Sequence, residues 1–441
     1  MLKNRPVRAA VRWGLGHALP QTVILRAGRQ GDLHGRLFAA SSSDDLPALL
    51  AAFDRLREAG PLYRGRYAYA TVSHAVAKEV LTSNDFRAGV DVGGAPGPIG
   101  RLHGWGAADA PLGPLTPPSL LVTEPPDHTR YRKLVSRVFT VRAVAELRSR
   151  TEQVADQLID DLLVEAAGGR TVDLVERYCA LLPVTVIAEI LGVPLEERPH
   201  VLAFGSAAAP SLDLGLRWRQ FRSVEAALLE FDAWLDNHIA EVRRNPGDNL
   251  LSRIVTARGE DGRGLNAAEL KSTAGLVLAA GFETTVNLLG NGIALLDEHP
   301  EQLARLREDP GLWGNAVDEV LRLDPPVLLT GRTCTRDTTV AGVPVPRGAV
   351  VTPTLAGANR DPDVFHDPHR FDVTRENAAE HVSFSAGRHY CLGAALARME
   401  GEVGLRRLFE RCPDLTLAPG ARRRPTRILR GFENLPARLV R

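Results

Sequence analysis

Cys391 lies in the run Phe384-Ser385-Ala386-Gly387-Arg388-His389-Tyr390-Cys391-Leu392-Gly393, and a strong helix-forming stretch, Ala394 to Glu400, follows directly. A helix starting there aims its unpaired N–H groups and its positive dipole end at the sulfur, which favours a thiolate. Gly387 and Gly393 free the backbone to wrap closely around a group beside that sulfur. A thiolate in such a loop suits an axial ligand of haem iron, where it donates electron density and promotes O–O cleavage. A second reactive pair, Glu283-Thr284, interrupts the apolar run from Leu278 to Thr285. An acid and an alcohol inside an apolar helix are costly without partners, and together they suit proton transfer. His128 and Arg132, four residues apart, project from one helix face and suit a carboxylate; alone, they would more readily make a solvated basic face. Glu319 and Arg322, three apart, form at least a helix ion pair.

The elements that must position these residues are mostly helical. Asn266 and Glu269 form a capping box, opening a helix to about Asp297, roughly 45 Å long at 1.5 Å per residue. Ala280, Glu283 and Thr284 share a face of it. Helical spacing also marks Asp45 to Glu58, Ser73 to Leu81, Ala143 to Ala167, Leu174 to Leu191, Glu197 to Ala208, Leu216 to Arg244 and Leu312 to Leu323. Strand alternation is confined to Tyr67–Val72, to Thr339–Pro353 and to a hairpin expected over Arg427 to Val440, with Phe432 at its tip. The Gly- and Pro-dense stretch from Arg87 to Pro118 reads as a long loop of the kind that carries function.

The spacing of Phe384, Gly387, His389, Cys391, Gly393, Ala397, Arg398 and Glu400 resembles the haem-binding signature of the cytochrome P-450 family, with Ser385 where the family usually has glycine. Three further motifs agree with it in order: His128 with Arg132, Ala280-Gly281 with Glu283-Thr284, and Glu319 with Arg322. The likeness covers residue 45 to the C-terminus and is to the soluble bacterial type. It implies a mainly α fold, one prism-shaped helical domain with a small β-rich subregion over residues 45–441. Residues 1–44 are then an N-terminal extension. This overrides the two or three domains that 441 residues would otherwise suggest.

The resemblance implies a monooxygenase that uses haem b, with Cys391 as metal ligand. One atom of O₂ enters an apolar small-to-medium substrate and the other leaves as water. His128, Arg132, Arg332 and His389 would hold the propionates; Phe384, Gly387, Gly393 and Ala280 would border the haem. Thr284 would hydrogen-bond the oxygen under activation and Glu283 would relay protons from solvent. Glu319, Arg322 and Arg370 would form a buried network bracing the cysteine loop. Val277, Ala280, Val327, Leu328 and Phe432 are candidate pocket walls, with 87–118 and 199–234 as substrate-facing loop and lid. Electrons would come from NAD(P)H through a ferredoxin reductase and a ferredoxin, the latter attracted by Lys133, Arg137 and Arg398. A peroxide-driven enzyme, a desaturating or carbon–carbon-coupling one, and a non-catalytic haem sensor remain open.

Composition bounds the rest. Hydrophobic content of 44% and charged content of 24% fit a soluble globular chain, and a net charge of +1 gives no bulk attraction for nucleic acid. The four cysteines, Cys179, Cys334, Cys391 and Cys412, are scattered, with neither a disulfide framework nor zinc spacing. No stretch has the length of a membrane anchor, and a reducing cytoplasm is the expected setting.

Overall fold

Asn266 and Glu269 cap one another. In the computed structural model of the chain, which describes residues 5–42, 44–90, 97–136, 141–258 and 262–439, the Asn266 side chain accepts from the Glu269 N–H at 3.0 Å. Glu269 accepts from the Asn266 N–H at 2.9 Å. The helix so opened spans Ala267–Glu298.

In chain order the helices are α1 (Arg5–Trp13), α2 (Leu19–Arg29), α3 (Leu33–Ala40), α4 (Leu46–Glu58), α5 (His74–Thr82), α6 (Pro98–Ala107), α7 (Asp127–Ser136), α8 (Val141–Glu165), α9 (Leu181–Ile190), α10 (Arg198–Ala208), α11 (Trp218–Arg244), α12 (Leu250–Thr256), α13 (Ala267–Glu298), α14 (Pro300–Glu308), α15 (Trp313–Leu323), α16 (Leu355–Ala358) and α17 (Ala394–Arg411). The strands are β1 (Tyr63–Arg64), β2 (Tyr69–Thr71), β3 (Phe86–Ala88), β4 (Val172–Asp173), β5 (Arg332–Cys334), β6 (Thr338–Val340), β7 (Val343–Val345), β8 (Val350–Pro353), β9 (Thr416–Leu417), β10 (Arg422–Arg423), β11 (Phe432–Asn434) and β12 (Pro436–Arg438).

Helix boundaries follow the sequence signals closely, because caps and apolar spacing coincide. Asp45, for example, accepts from the Ala48 N–H at 2.9 Å and starts α4. Two expectations differ. The 87–118 stretch contains α6, which opens with Pro98 behind Gly97. Among the described residues the expected terminal hairpin is absent: β11 pairs with β10, whereas β12 pairs with β4 and β9. Only Leu435 separates the two strands, too short a link for them to fold back on each other. The N-terminal extension is mostly helical, as described below.

The main sheet runs β1-β2-β8-β5-β3, with β2 and β8 parallel and the other pairs antiparallel. It places Arg332 at the start of β5, opposite Val351 and Ala88.

The position of the cysteine loop follows from how closely α17 packs on α13. A Cβ on Gly401 would stand 2.9 Å from Leu288, one on Gly404 2.7 Å from Leu289, and one on Gly292 2.7 Å from Leu405. Glycine at these three places lets leucines of the facing helix fill the space a side chain would take. The contact belongs to one large apolar core shared by α8, α9, α13, α15 and α17, and it fixes the N-terminus of α17, where Cys391 sits.

The N-terminal segment packs on α6 and α11. Arg12 donates to Glu225 on α11 at 2.6 and 2.8 Å, and to Asp109, just past α6, at 2.8 Å. The Trp13 indole N–H donates to the Leu216 carbonyl at 2.8 Å, and Ala9 is buried with Leu216, Phe221 and Val224.

Candidate functional site

Cys391 keeps solvent-accessible surface although protein surrounds it densely. Burial pushes its thiol above the ordinary value, while the Gly393 N–H and the charges of Arg132 and Arg398 pull the other way. The expected thiolate preference is therefore reversed in the protein alone: the helix start and two cations do not offset desolvation. A bound metal cation would supply the missing charge.

The two loop glycines differ. Gly387 has φ of 66°, and a Cβ there would meet the Leu81 carbonyl and Thr82 Cα, both at 2.9 Å. Its need is close packing on the end of α5, not on a ligand. Gly393 has φ of −88° with nothing within 4 Å of a Cβ position. Phe384 is buried under the loop, with the Arg398 guanidinium 4.6 Å over its ring.

Of the four expected carboxylate-binding residues, three gather around a carboxylate the sequence reading did not single out, Glu124. His389 Nε2 lies 3.1 Å from Glu124 Oε1, which needs the proton on Nε2. Arg388 donates to Oε2 at 2.9 Å and the Ala88 N–H to Oε1 at 2.7 Å. Burial opposes ionisation of Glu124, but these hydrogen bonds and charges outweigh it and hold its carboxyl below its usual value. The Arg332 guanidinium is buried; desolvation lowers its pKa to about 10, against which the Glu124 charge works. His128 stacks at a tilt on His389, ring centroids 4.6 Å apart. Burial, then His389 and Arg132, lower its pKa to about 4, so it is neutral at neutral pH. Arg132 departs from the expected set and donates to the Tyr390 carbonyl at 2.7 Å, beside Cys391.

His128 Nε2 is buried with no hydrogen-bond partner. A buried imidazole nitrogen without a partner is costly. Together with the buried Arg332 guanidinium it forms a set that fits an anionic carboxylate group, with His389 held beside it by Glu124. The solvent-accessible Cys391 and the open space before Gly393 fit a flat iron-bearing ring beside them. Haem therefore matches the residues present.

On α13 the accessible face runs through half-buried Val277, exposed Ala280 and half-buried Thr284. The Thr284 hydroxyl donates back to the Ala280 carbonyl at 3.0 Å. Glu283 sits off that face, buried against the Arg424 guanidinium. Neither Glu283 oxygen has a partner of hydrogen-bond geometry; the charge pairing nevertheless stands, since Coulomb attraction needs proximity and not a linear bond. Arg424 comes from the turn after β10, and its Nε donates to the Phe432 carbonyl at 3.2 Å.

The bracing network is present with one change of member. Glu319 and Arg322 are fully buried and doubly bonded, at 2.6 and 2.8 Å. The second cation is Arg375, whose Nε lies 3.1 Å from both Glu319 oxygens. Arg370 offers only its carbonyl, to Arg322 and Arg375 at 3.0 Å each, while its side chain is exposed. The reason is local: buried Phe371 turns inward, so its neighbour turns out, and a turn at Asp372 brings Arg375 back.

Leu328 is buried in a separate core with Leu37, Leu49, Phe53 and Val72, whereas Val327, partly buried, packs on the cluster of Ala77, Leu81 and Leu355 that also receives Ala386 of the cysteine loop. Phe432 lies near Gly290, beyond Thr284 on α13, with Arg423 4.2 Å over its ring. Among the expected partner-attracting cations, Arg398 is tied to Asp318 at 2.7 Å, Lys133 is exposed, and Arg137 lies outside the described residues.

Glu124, Arg388, Arg375 and Arg424 carried no periodic or motif signal of their own. Glu124 stands directly before Pro125-Pro126, the one local hint that its backbone, and hence its side chain, is fixed.

Comparison with known proteins agrees with this arrangement. The cytochrome P450 family model matches residues 312–432. The chain is 51% identical over 433 residues to cytochrome P450 140 of Mycobacterium tuberculosis, covering 97% of each. It is 41% identical over 320 residues to the 6-deoxyerythronolide B hydroxylase of Saccharopolyspora erythraea, covering 72% of this chain and 77% of that one. Its fold superposes on the ligand-free CYP164A2 of Mycobacterium smegmatis with a TM-score of 0.79 and 32% identity, over 92% of this chain and 99% of that one.

Proposed function

This chain belongs to the cytochrome P450 family, and from that premise we propose that it is a monooxygenase in which Cys391 is the haem ligand and the substrate is a medium-sized apolar natural product. The family's enzymes are haem b monooxygenases with a cysteine thiolate on the iron, using O₂, an organic substrate and external redox partners. The bound haem-thiolate supplies the activation of O₂; the protein's own groups supply the rest. The carrying observation is the solvent-accessible Cys391, which lies in the same loop as His389, with buried His128 stacked on that histidine and buried Arg332 under the charge of Glu124, the hydrogen-bond partner of His389. His128, His389 and Arg332 bind the propionates, and Arg132 orients the loop through the Tyr390 carbonyl.

Thr284 holds its hydroxyl on the accessible face of α13, donated to the Ala280 carbonyl, and turned away from that carbonyl it would offer its one proton to oxygen brought to the haem side. Glu283 holds a proton-transfer carboxylate whose charge Arg424 stabilises. We assign a hydroxylation outcome and a ferredoxin with its reductase as electron source, in the cytoplasm. One relative is named for hydroxylating 6-deoxyerythronolide B, a precedent for hydroxylation. Among the described residues no helix is long and apolar enough to cross a membrane.

The test is spectroscopic. The reduced protein with carbon monoxide should show the red-shifted Soret band of thiolate-ligated haem, and Cys391→Ala should lose it; survival of the band would refute the assignment. A screen of apolar compounds by haem spin-state shift then identifies substrates. Turnover of a hit with peroxide alone, and no gain from a ferredoxin–reductase pair, would replace the monooxygenase reading with a peroxygenase.

A further inference from the structure

Ser385 has φ of 63°, in the left-handed region that glycine adopts freely and serine does not. Its backbone is nonetheless committed: the Ser385 N–H donates to the Val382 carbonyl at 2.8 Å, and the Cys391 N–H to the Phe384 carbonyl at 2.9 Å. A side chain kept at a position that disfavours any side chain points to a task for its hydroxyl. That task is visible in its contact, since Arg332 Nη2 donates to Ser385 Oγ at 3.3 Å. The other nitrogen, Nη1, donates to Thr330 Oγ1 and the Gly331 carbonyl, both at 3.0 Å. These last two acceptors lie on Arg332's own strand approach and fix one end of the planar fork. Ser385 fixes the other end from a different part of the chain, the loop that carries Cys391.

We propose that Ser385 is a positioning residue that orients the Arg332 guanidinium toward a haem propionate and ties β5 to the cysteine loop. The inference rests on the reading of Arg332 as a propionate-binding residue. A guanidinium is a planar donor array, so its orientation decides which N–H groups remain for a carboxylate. Buried Arg332 has the charges of Glu124 and Arg388 in its surroundings, so its own intrastrand acceptors alone do not determine where the fork points. A hydroxyl on the cysteine loop moves with the iron ligand, so that donor and axial sulfur keep a constant relation.

The experiment is a double-mutant cycle on the holoprotein, read by the rate of haem transfer to excess apomyoglobin. Ser385→Gly removes the hydroxyl while relieving the backbone, so thermal stability at saturating haem should hold or rise while haem loss accelerates about three- to tenfold. Arg332→Ala should accelerate loss at least as much, and adding Ser385→Gly to it should change the rate less than twofold. The propionate-bending band in the resonance Raman spectrum should shift in Ser385→Gly, a readout that backbone relief alone would leave in place. Haem loss at the parental rate in Ser385→Gly, or full additivity with Arg332→Ala, overturns the proposal. If Arg332→Ala itself loses haem at the parental rate, the propionate reading of Arg332 falls and the proposal falls with it. A fast Arg332→Ala beside a parental Ser385→Gly defeats the proposal alone.

Discussion

Arg424, from the turn between β10 and β11, reaches the buried carboxylate of Glu283 in the middle of α13. A strand pair near the C-terminus thus supplies the counter-charge for the acid of the acid–alcohol pair. Removing one partner leaves a buried charge alone, at a cost of about 3 kcal/mol. Arg424→Ala should therefore lower stability by that order in chemical denaturation, and Glu283→Gln in the same background should restore much of it. A loss of under about 0.5 kcal/mol, the level of an ordinary surface change, would mean that the pair does not form in solution. With substrate bound, Arg424→Ala should also lower the ratio of product to O₂ consumed, because the carboxylate loses its counter-charge.

The brace around Glu319 gives a sharper comparison. Arg375→Ala removes a guanidinium that meets both Glu319 oxygens, and should cost about 3 kcal/mol and lower the haem content of purified protein. Arg370→Ala removes an exposed side chain and keeps the carbonyl that the network uses, so its cost should stay within about 0.5 kcal/mol. Equal losses from the two variants, measured by urea denaturation, would return Arg370 to the network.

Glu400 is fully buried on α17, and desolvation raises its carboxyl well above the ordinary glutamate value, with Thr285 as a weak hydrogen-bond influence. Neither of its oxygens has a partner of full hydrogen-bond geometry, so the neutral acid is the folded form. Below the ordinary glutamate pKa both folded and unfolded chains hold the proton, and the stability contribution is complete. Above it only the unfolded chain releases the proton, so stability falls until the folded pKa is reached. Glu400→Gln keeps the shape and removes the titration. Its stability relative to the parent should improve as pH rises above about 5, by about 1.4 kcal/mol per pH unit while the folded carboxyl keeps its proton. A constant difference over that rise would show that Glu400 is ionised when folded.

These outcomes separate what local sequence encodes from what it does not. The capping box at Asn266, the i, i+3 pair Glu319 and Arg322, and the helix following Cys391 are determined within a turn or two of chain, and each stands where the spacing puts it. Arg375 and Arg424 were not legible, because each meets its carboxylate across 56 and 141 residues of sequence respectively. Leu328 reads as an apolar wall through the family resemblance, yet which core receives it depends on how the sheet is placed. Glu124 is the instructive miss: in sequence it is one acid before two prolines, and only the fold surrounds it with His389 and Arg388.

The N-terminal helices carry the last prediction. As sequence they have scattered cations, a broken apolar pattern and no motif, although the likeness to cytochrome P450 140 covers 97% of the chain and so reaches into them. In the fold, Arg12 bridges Glu225 on α11 and Asp109 beside α6, with all three side chains largely shielded from solvent. It also donates to the Gly106 carbonyl at 2.5 Å. The two elements so joined belong to the stretches expected to form the lid and the substrate-facing loop. Arg12→Ala removes the shared cation and strands buried Glu225, whose remaining partner, Arg222, is half exposed. Local opening should become easier by about 2 kcal/mol, roughly a thirtyfold rise in amide exchange across residues 98–109 and 214–226. Exchange in α13 and α17 should stay at the parental rate, since their protection comes from the central core. Because access to the haem would then need less lid opening by thermal fluctuation, imidazole should bind the ferric holoprotein faster in Arg12→Ala, with its dissociation rate raised in parallel. Unchanged exchange over both segments would show that Trp13 and the Ala9 cluster hold the lid without Arg12. A uniform rise over the whole chain would show instead that Arg12 supports global stability and not the lid.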